Sequence, residues 1–161
     1  PPRSTLFPYT TLFRSAMPES VDTRRLKLTN EEGTEGVLLG FRCLECDTVI
    51  FGPGTFCQRC TSAKLEPIEF SQTGILYSYT VVRIPSAGWP GPVPYILAQV
   101  ELSEGPQVLA ELVDYLEDAL EIGMPVELTL QLVQGEDSSA AKVVYKWRPA
   151  NQPSPTAEVD P

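Results

Sequence analysis

The second half of the chain alternates apolar and polar residues, the pattern of strands that are buried on one face only. The alternation is strictest over residues 125–134, where every other position is apolar: Val126, Leu128, Leu130 and Leu132. Segments rich in β-branched and aromatic residues, each bounded by Gly, Pro or Ser, predict four further strands. They span residues 74–84, 95–105, 106–115 and 141–149. This region therefore favours an all-β structure with five strands.

The strand pattern is interrupted at residues 116–124, a segment that suits a turn or a short helix. This interruption reduces the number of all-β folds that the sequence allows. Five strands with one short helical break after the third match a five-stranded, partly open OB-type barrel. We assign the predicted barrel to residues 69–149.

All four cysteines lie ahead of the barrel, in two Cys-x-x-Cys pairs with ten residues between them: Cys43/Cys46 and Cys57/Cys60. Short apolar runs at 37–43 and 47–52 flank the first pair and predict a hairpin, and 63–71 suits a third strand or a linker. Each pair can sit on a tight turn that points both sulfurs inward, so the four thiolates suit a tetrahedral metal ion. The predicted fold is mainly β, a rubredoxin-like zinc ribbon at residues 37–68 followed by the OB-type barrel.

Zinc is the favoured ion, and iron is the alternative because a rubredoxin-like iron site uses the same ligands. Disulfides are less favoured in a reducing compartment, and a redox-active pair would leave the other pair unexplained. Four protein ligands leave no position open for water or substrate, which predicts a structural site. Metal binding, worth about 10–16 kcal/mol in small zinc modules, would supply the stability that so short a ribbon lacks.

Charge and histidine content exclude several functions. The net charge is −9, and residues 65–161 hold fourteen acidic but only four basic side chains, which counts against nucleic acid binding. The chain has no histidine, which excludes Ser-His-Asp and Cys-His nucleophilic sites, imidazole bases and His-ligated catalytic zinc. We therefore expect a protein that is not an enzyme by itself.

The remaining segments are predicted to lie outside the two domains. Residues 1–16 show no periodicity and are interpreted as a non-native or disordered segment, 17–36 as an N-terminal linker, and 150–161 as a disordered Pro-rich tail. The sequence has no run of about 20 apolar residues that could span a bilayer, and no legible secretory signal. These observations predict a cytoplasmic protein without membrane contact.

Candidate contact residues cluster at the Pro- and Gly-rich segment "SAGWPGPVP", residues 86–94. Trp89 stands among four prolines between Pro85 and Pro94 and suits either a contact anchor or a cap on the barrel. Tyr95 follows this segment, and Arg83 precedes it, where it suits either a phosphate contact or a solvated strand end. We predict partner or ligand contacts at these three residues.

Basic residues alternate on the last predicted strand and so share one face: Lys142, Lys146 and Arg148. They suit either a small anion-binding patch or charge balance against the many carboxylates nearby. We favour charge balance.

The order of these features resembles that of a known family. The four-cysteine ribbon is followed by "GILYSYTVVR", "PYILAQVEL", "IGMPVEL" and "YKWRP". This order, over residues 37–149, resembles the thiolase-associated zinc-ribbon/OB-fold acyl-CoA-binding proteins, formerly a domain of unknown function. "LLGFRCLEC" resembles in particular the small subunits of thiolases that act on acyl-CoA degradation intermediates.

The resemblance implies a non-catalytic accessory subunit in lipid metabolism. Its partner would be a thiolase, acyl-CoA acyltransferase or aldolase subunit that carries the reactive groups. The small subunit would stabilise this partner and assist the binding or channelling of acyl-CoA. The lack of histidine agrees with such a division of labour.

The chain departs from the family pattern at two points. Asp47 follows the first cysteine pair where the family often has Gly, and "FGPG" at 51–54 lacks the basic residue of the family's "FPPR"-like stretch. No CoA-binding residue is therefore carried over from this stretch. The alternative functions are a nucleic-acid-binding zinc-ribbon/OB module, which needs a basic aromatic face, and a small iron electron carrier.

Overall fold

The computed structural model describes residues 16–89, 91–133 and 140–150, which consist of strands, loops and one 3-10 turn at Glu117–Ala119. The strands in these ranges are β1 (Ala16–Ser20), β2 (Leu26–Leu28), β3 (Gly36–Cys43), β4 (Val49–Phe51), β5 (Leu65–Glu69), β6 (Thr73–Val82), β7 (Tyr95–Leu102), β8 (Gln107–Leu112), β9 (Pro125–Val133) and β10 (Ala140–Pro149). The mainly β class predicted from the sequence is confirmed.

Strands β6 to β10 close into a five-stranded barrel. Their order is β10-β8-β7-β6-β9, and β9 returns to pair with β10 along nearly its whole length. The pairing of β8 with β10 is parallel and joins Leu112 to Trp147, whereas the other pairings within the barrel are antiparallel. The predicted five-stranded barrel is confirmed, and the 3-10 turn lies in the segment after the third barrel strand, as predicted.

The ribbon is a small sheet built around β3. Strands β2, β4 and β5 all pair with β3 and are antiparallel to it. The predicted hairpin corresponds to β3 and β4, and the predicted third strand is β5. Gly40 is required at the centre of β3, because a Cβ atom there would collide with the carbonyl oxygen of Ile50 and the ring of Phe70.

The structure differs from the sequence prediction at residues 17–36, which are not simply a linker. Strand β1 pairs in parallel with β10 of the barrel, and β2 forms the edge of the ribbon sheet. The sequence "AMPES" shows no apolar–polar alternation, so the pattern does not predict β1, an edge strand whose backbone partners come from the distant β10. Glu19 of β1 lies opposite Lys142 of β10 and pairs with its ammonium group at 2.7 Å.

Ribbon and barrel share one hydrophobic core. Fully buried Leu26 and Leu38 of the ribbon belong to the same cluster as the inward-facing residues of the barrel. The ring of Phe51 lies 6.1 Å from that of Phe70 and 6.1 Å from that of Tyr145, edge-on to the latter. Such continuous packing fixes the ribbon against the barrel.

Two predicted segments fall largely outside the described residues. They are the N-terminal segment apart from Ala16 and the Pro-rich tail apart from Ala150. The domain boundaries stay predictions. Within the described ranges, the fold contains no helix of the length and apolarity that a membrane crossing requires.

Candidate metal centre and outer groove

Two turns of the same geometry hold the two cysteine pairs. In the first, the N–H of Asp47 donates to the carbonyl of Cys43 at 2.9 Å, and in the second the N–H of Thr61 donates to that of Cys57 at 2.9 Å. Asp47 and Thr61, each directly after a pair, have left-handed φ angles of 56° and 62°. Asp tolerates this region, so Asp47 can occupy the left-handed position directly after the first pair.

The turns bring the four sulfurs together, with all of them within 4.8 Å of one another. Sγ of Cys43 lies 3.5 Å from Sγ of Cys60, and Sγ of Cys46 lies 3.6 Å from Sγ of Cys57. A tetrahedral zinc ion with bonds of about 2.3 Å separates its sulfurs by about 3.8 Å. All four thiols are free and too far apart for S–S bonds of about 2.05 Å. The donor set therefore fits a thiolate-bound ion such as zinc or iron.

Hydrogen bonds favour thiolates at part of this cluster. The Thr48 hydroxyl and backbone lower the pKa of Cys46 to about 6, and the backbone N–H groups of Cys60 and Arg59 lower the pKa of Cys57. At Cys60, a backbone hydrogen bond from Ser62 favours the thiolate, but the Cys46 and Cys43 thiols outweigh it and raise the pKa to about 12. Four thiolates in so small a volume repel one another, and a cation removes this repulsion.

The tip of the ribbon is only partly enclosed. Cys43 and Cys57 are buried, whereas Cys60 is exposed. Leu44 and Phe56, each adjacent to a buried cysteine, are more than half exposed. The tip thus presents apolar side chains around a site that has no open coordination position for substrate.

A groove of about 550 Å³ lies on the outer face of the barrel. Its lining includes Leu97 of β7 and Val144 of β10, and the segment before β7 borders it. The ring of Trp89 stacks on that of Tyr95 with centroids 4.2 Å apart, and its indole N–H donates to the carbonyl of Pro92 at 3.3 Å. Two of the three predicted contact residues are therefore brought together.

The third predicted contact residue does not line this groove. Arg83 borders a separate cavity at the end of the barrel, together with Tyr79 and Val81. Its predicted contact role stays a prediction that is distinct from the Trp89–Tyr95 pair.

An ion pair that the sequence did not reveal lies in the groove. Lys146 of β10 contacts Glu111 of β8 at 2.6 Å, and the two side chains are only 14% and 16% exposed. The sequence alone does not identify the partner of Lys146, because Glu111 has the pattern of any outward-facing strand residue. The pairing of β8 with β10 in the structure brings the two side chains together. Lys142 and Arg148 are also paired with carboxylates, of Glu19 and Glu127, which agrees with charge balance rather than an anion patch.

Comparison with known proteins agrees with the barrel seen in the structure and with the family resemblance of the sequence. The family described as the C-terminal OB-fold domain of ChsH2 matches residues 68–131. A "DUF35 domain-containing scaffold protein" of Methanothermobacter thermautotrophicus is 36% identical, over 70% of this chain and 86% of the relative. The benzoylsuccinyl-CoA thiolase subunit BbsA of Geobacter metallireducens is 30% identical, over 73% and 78%.

A solved structure supports the same relationship. A chain of the "Ltp2-ChsH2(DUF35) aldolase" is 35% identical and superposes with a TM-score of 0.56, over 71% of this chain and 85% of that one. These matches confirm the resemblance drawn from the order of the motifs: the chain belongs to the thiolase-associated DUF35 family.

Proposed function

We propose that this protein is a non-catalytic accessory subunit of a thiolase- or aldolase-type enzyme that acts on acyl-CoA. The observation that carries the proposal is the similarity, at 30–35% identity over most of the chain, to BbsA and to the DUF35 chain of an aldolase structure. Both names place a relative within a thiolase or an aldolase. The partner subunit would carry the reactive groups.

The proposed lack of catalysis rests on the chemistry of the residues. The chain has no histidine, and its four cysteines are gathered at one site where a tetrahedral ion would engage all of them. In the described part of the chain, this is the one cluster of three or more cysteine or acidic side chains arranged to hold a metal. Zinc bound there would cross-link the two turns and hold the tip of the ribbon rigid.

Assistance with acyl-CoA would use the groove on the barrel. Its apolar lining at Leu97 and Val144 and its stacked Trp89–Tyr95 rings suit the acyl or pantetheine portion of a thioester. Lys146 is already neutralised by Glu111, so the groove offers no unpaired cation among its described residues for the phosphates of CoA. The phosphates would therefore be bound by the partner subunit.

Nucleic acid binding has weaker support. An OB-type face that binds a strand needs unpaired basic side chains and exposed aromatic rings for stacking. Here the single lysine of the groove is paired, and the indole of Trp89 is stacked within the protein. The net charge of −9 would repel phosphate further.

Co-expression tests the proposal. Ltp2 of the aldolase structure and the other subunit of benzoylsuccinyl-CoA thiolase are the probes, each produced together with this chain. A stable complex in size-exclusion chromatography, with tighter binding of an acyl-CoA than the partner shows alone, is expected. A chain that stays monomeric beside both probes and has no affinity for acyl-CoA in calorimetry would count against an accessory role. A cytoplasmic location stays a prediction.

A further inference from the structure

One end of the barrel combines exposed apolar side chains with unpaired carboxylates. We call it the acidic end surface and define it by two groups of residues. The apolar residues lie on β6 or just after it: Tyr79, Val81 and Ile84. The acidic residues lie between β8 and β9: Asp114, Glu117, Asp118 and Glu121.

A shallow cavity of about 270 Å³ joins the two groups. Tyr79 and Val81 line it from the barrel, and Tyr115 and Glu117 line it from the segment after β8. Ile84, which follows the lining residue Arg83 in the sequence, is 88% exposed. Single exposed apolar residues are ordinary, but several around one cavity, bordered by charge, are typical of an interaction site.

The charge of this surface is predominantly negative. Residues 113–121 contain four carboxylates and no basic side chain. Every ion pair between described residues lies elsewhere, so these carboxylates have no basic partner within that part of the chain. Arg83 is the one basic residue among the described side chains that line the cavity. Burial, followed by the charge of Glu117, raises the pKa of Tyr115, so the negative field reaches the cavity.

Charge eliminates most kinds of occupant. A nucleic acid or an anionic lipid surface would bring phosphates against unpaired carboxylates, which repel them. A second copy of this chain would bring a surface of the same net negative charge, with four carboxylates against the single Arg83, so repulsion would outweigh attraction across the interface. The remaining occupant that matches both the apolar centre and the acidic border is a protein with the opposite charge.

We infer that the acidic end surface docks a protein partner whose matching face is apolar at its centre and bordered by Lys or Arg side chains. The inference rests on the proposed function, since the partner in question is the thiolase- or aldolase-type subunit. The apolar centre would supply most of the affinity, and the carboxylates would accelerate and orient the encounter.

Two matched pairs of variants test the inference on the co-expressed complex. Glu117→Lys/Asp118→Lys reverses the charge at the surface, and Glu31→Lys/Glu32→Lys makes the same change in net charge at exposed acidic residues between β2 and β3. Ile84→Ser removes the most exposed apolar side chain of the surface, and Leu109→Ser removes one that is 55% exposed on β8. All four sites are exposed, so circular dichroism and the melting temperature should match those of the original chain.

Surface plasmon resonance against immobilised Ltp2 or the thiolase subunit gives the readout, with whichever probe forms the complex. At low salt, the charge reversal should slow association about tenfold, and added salt should reduce that difference. Ile84→Ser should raise Kd about fivefold or more, mainly through faster dissociation. The two control variants should bind like the original chain.

The outcomes separate this inference from the proposed function. If the original chain binds neither probe, the accessory role fails and the docking surface fails with it. If a complex forms but the end-surface variants bind as the original does, the accessory role stands and this docking surface is wrong. Equal losses in the test and control variants would also overturn the inference, since they would show an effect of net charge alone.

Discussion

The largely buried ion pair between Lys146 and Glu111 allows a quantitative test of the barrel. Replacing Lys146 by Met keeps an unbranched side chain that is one atom shorter, but leaves the Glu111 carboxylate, which is only 16% exposed, without its cation. Removing one partner of a fully buried pair costs about 3–5 kcal/mol. Because both groups retain some contact with water, we expect Lys146→Met to lower the free energy of unfolding by about 2–3 kcal/mol.

The double variant shows whether this cost comes from an uncompensated charge or from lost packing. In Lys146→Met/Glu111→Leu neither charge remains, and apolar side chains continue the Leu97–Val144 lining of the groove. Replacing a buried pair by apolar residues of similar volume is often neutral or stabilising. We therefore expect the double variant to regain most of the lost stability and to come within about 1 kcal/mol of the original chain.

The Lys142–Glu19 pair supplies the matched control, because it also joins β10 to another strand but is largely exposed, at 41% and 62%. Solvent screens such a pair, so Lys142→Met should change stability within the error of the measurement. Urea denaturation at pH 7, followed by far-ultraviolet circular dichroism, gives the free energies of unfolding. The reasoning is refuted if Lys146→Met costs no more than Lys142→Met, or if Lys146→Met/Glu111→Leu is no more stable than the single variant.

Three further predictions concern the ribbon. Gly40→Ala should destabilise the chain by about 1–3 kcal/mol in the same urea assay, because the added Cβ has no space beside Ile50 and Phe70. The control Gly54→Ala, whose Cβ would make only ordinary contacts, should be nearly neutral. Equal effects of the two substitutions would contradict the close packing at Gly40. Protein purified without chelator should carry about one zinc ion per chain by plasma mass spectrometry; less than about half an ion would exclude the zinc site. The pKa of Cys46 is lowered to about 6, which favours the thiolate above pH 6, so this thiol is already ionised at pH 7.5. Zinc binding at that pH should therefore release fewer than four protons in weakly buffered dye titrations. The release of four protons would contradict this prediction.

The sequence predicts the features whose causes are local. The cysteine cluster depends on two turns, and the Cys-x-x-Cys spacing predicts both of them. In the first turn, the residue after the pair is Asp47, a type that tolerates the left-handed backbone found there. The strands of the barrel likewise follow from apolar alternation, which depends on neighbouring residues only.

Features that depend on distant pairing could not be predicted in the same way. Strand β1 is stabilised by β10, more than a hundred residues away, and "AMPES" carries no alternation of its own. Glu111 becomes part of the groove only because the parallel pairing of β8 with β10 brings it to Lys146. Trp89 and Tyr95 were both predicted as contacts, but their stacking depends on the loop conformation between them.

Rigidity connects the metal centre to the proposed accessory role. A ribbon of this size buries little apolar surface by itself and would gain stability from a bound metal, yet it does not stand apart, because Leu26, Leu38 and Phe51 pack into the core of the barrel or against its edge. A metal bound at the tip would therefore stabilise packing that reaches Phe70 and Tyr145. An accessory subunit needs this coupling, since two surfaces can position a partner only when they cannot move relative to each other. The exposed apolar residues at the ribbon tip and at the acidic end surface thus belong to one connected core, and the proposed accessory role would use both surfaces as parts of a single rigid body.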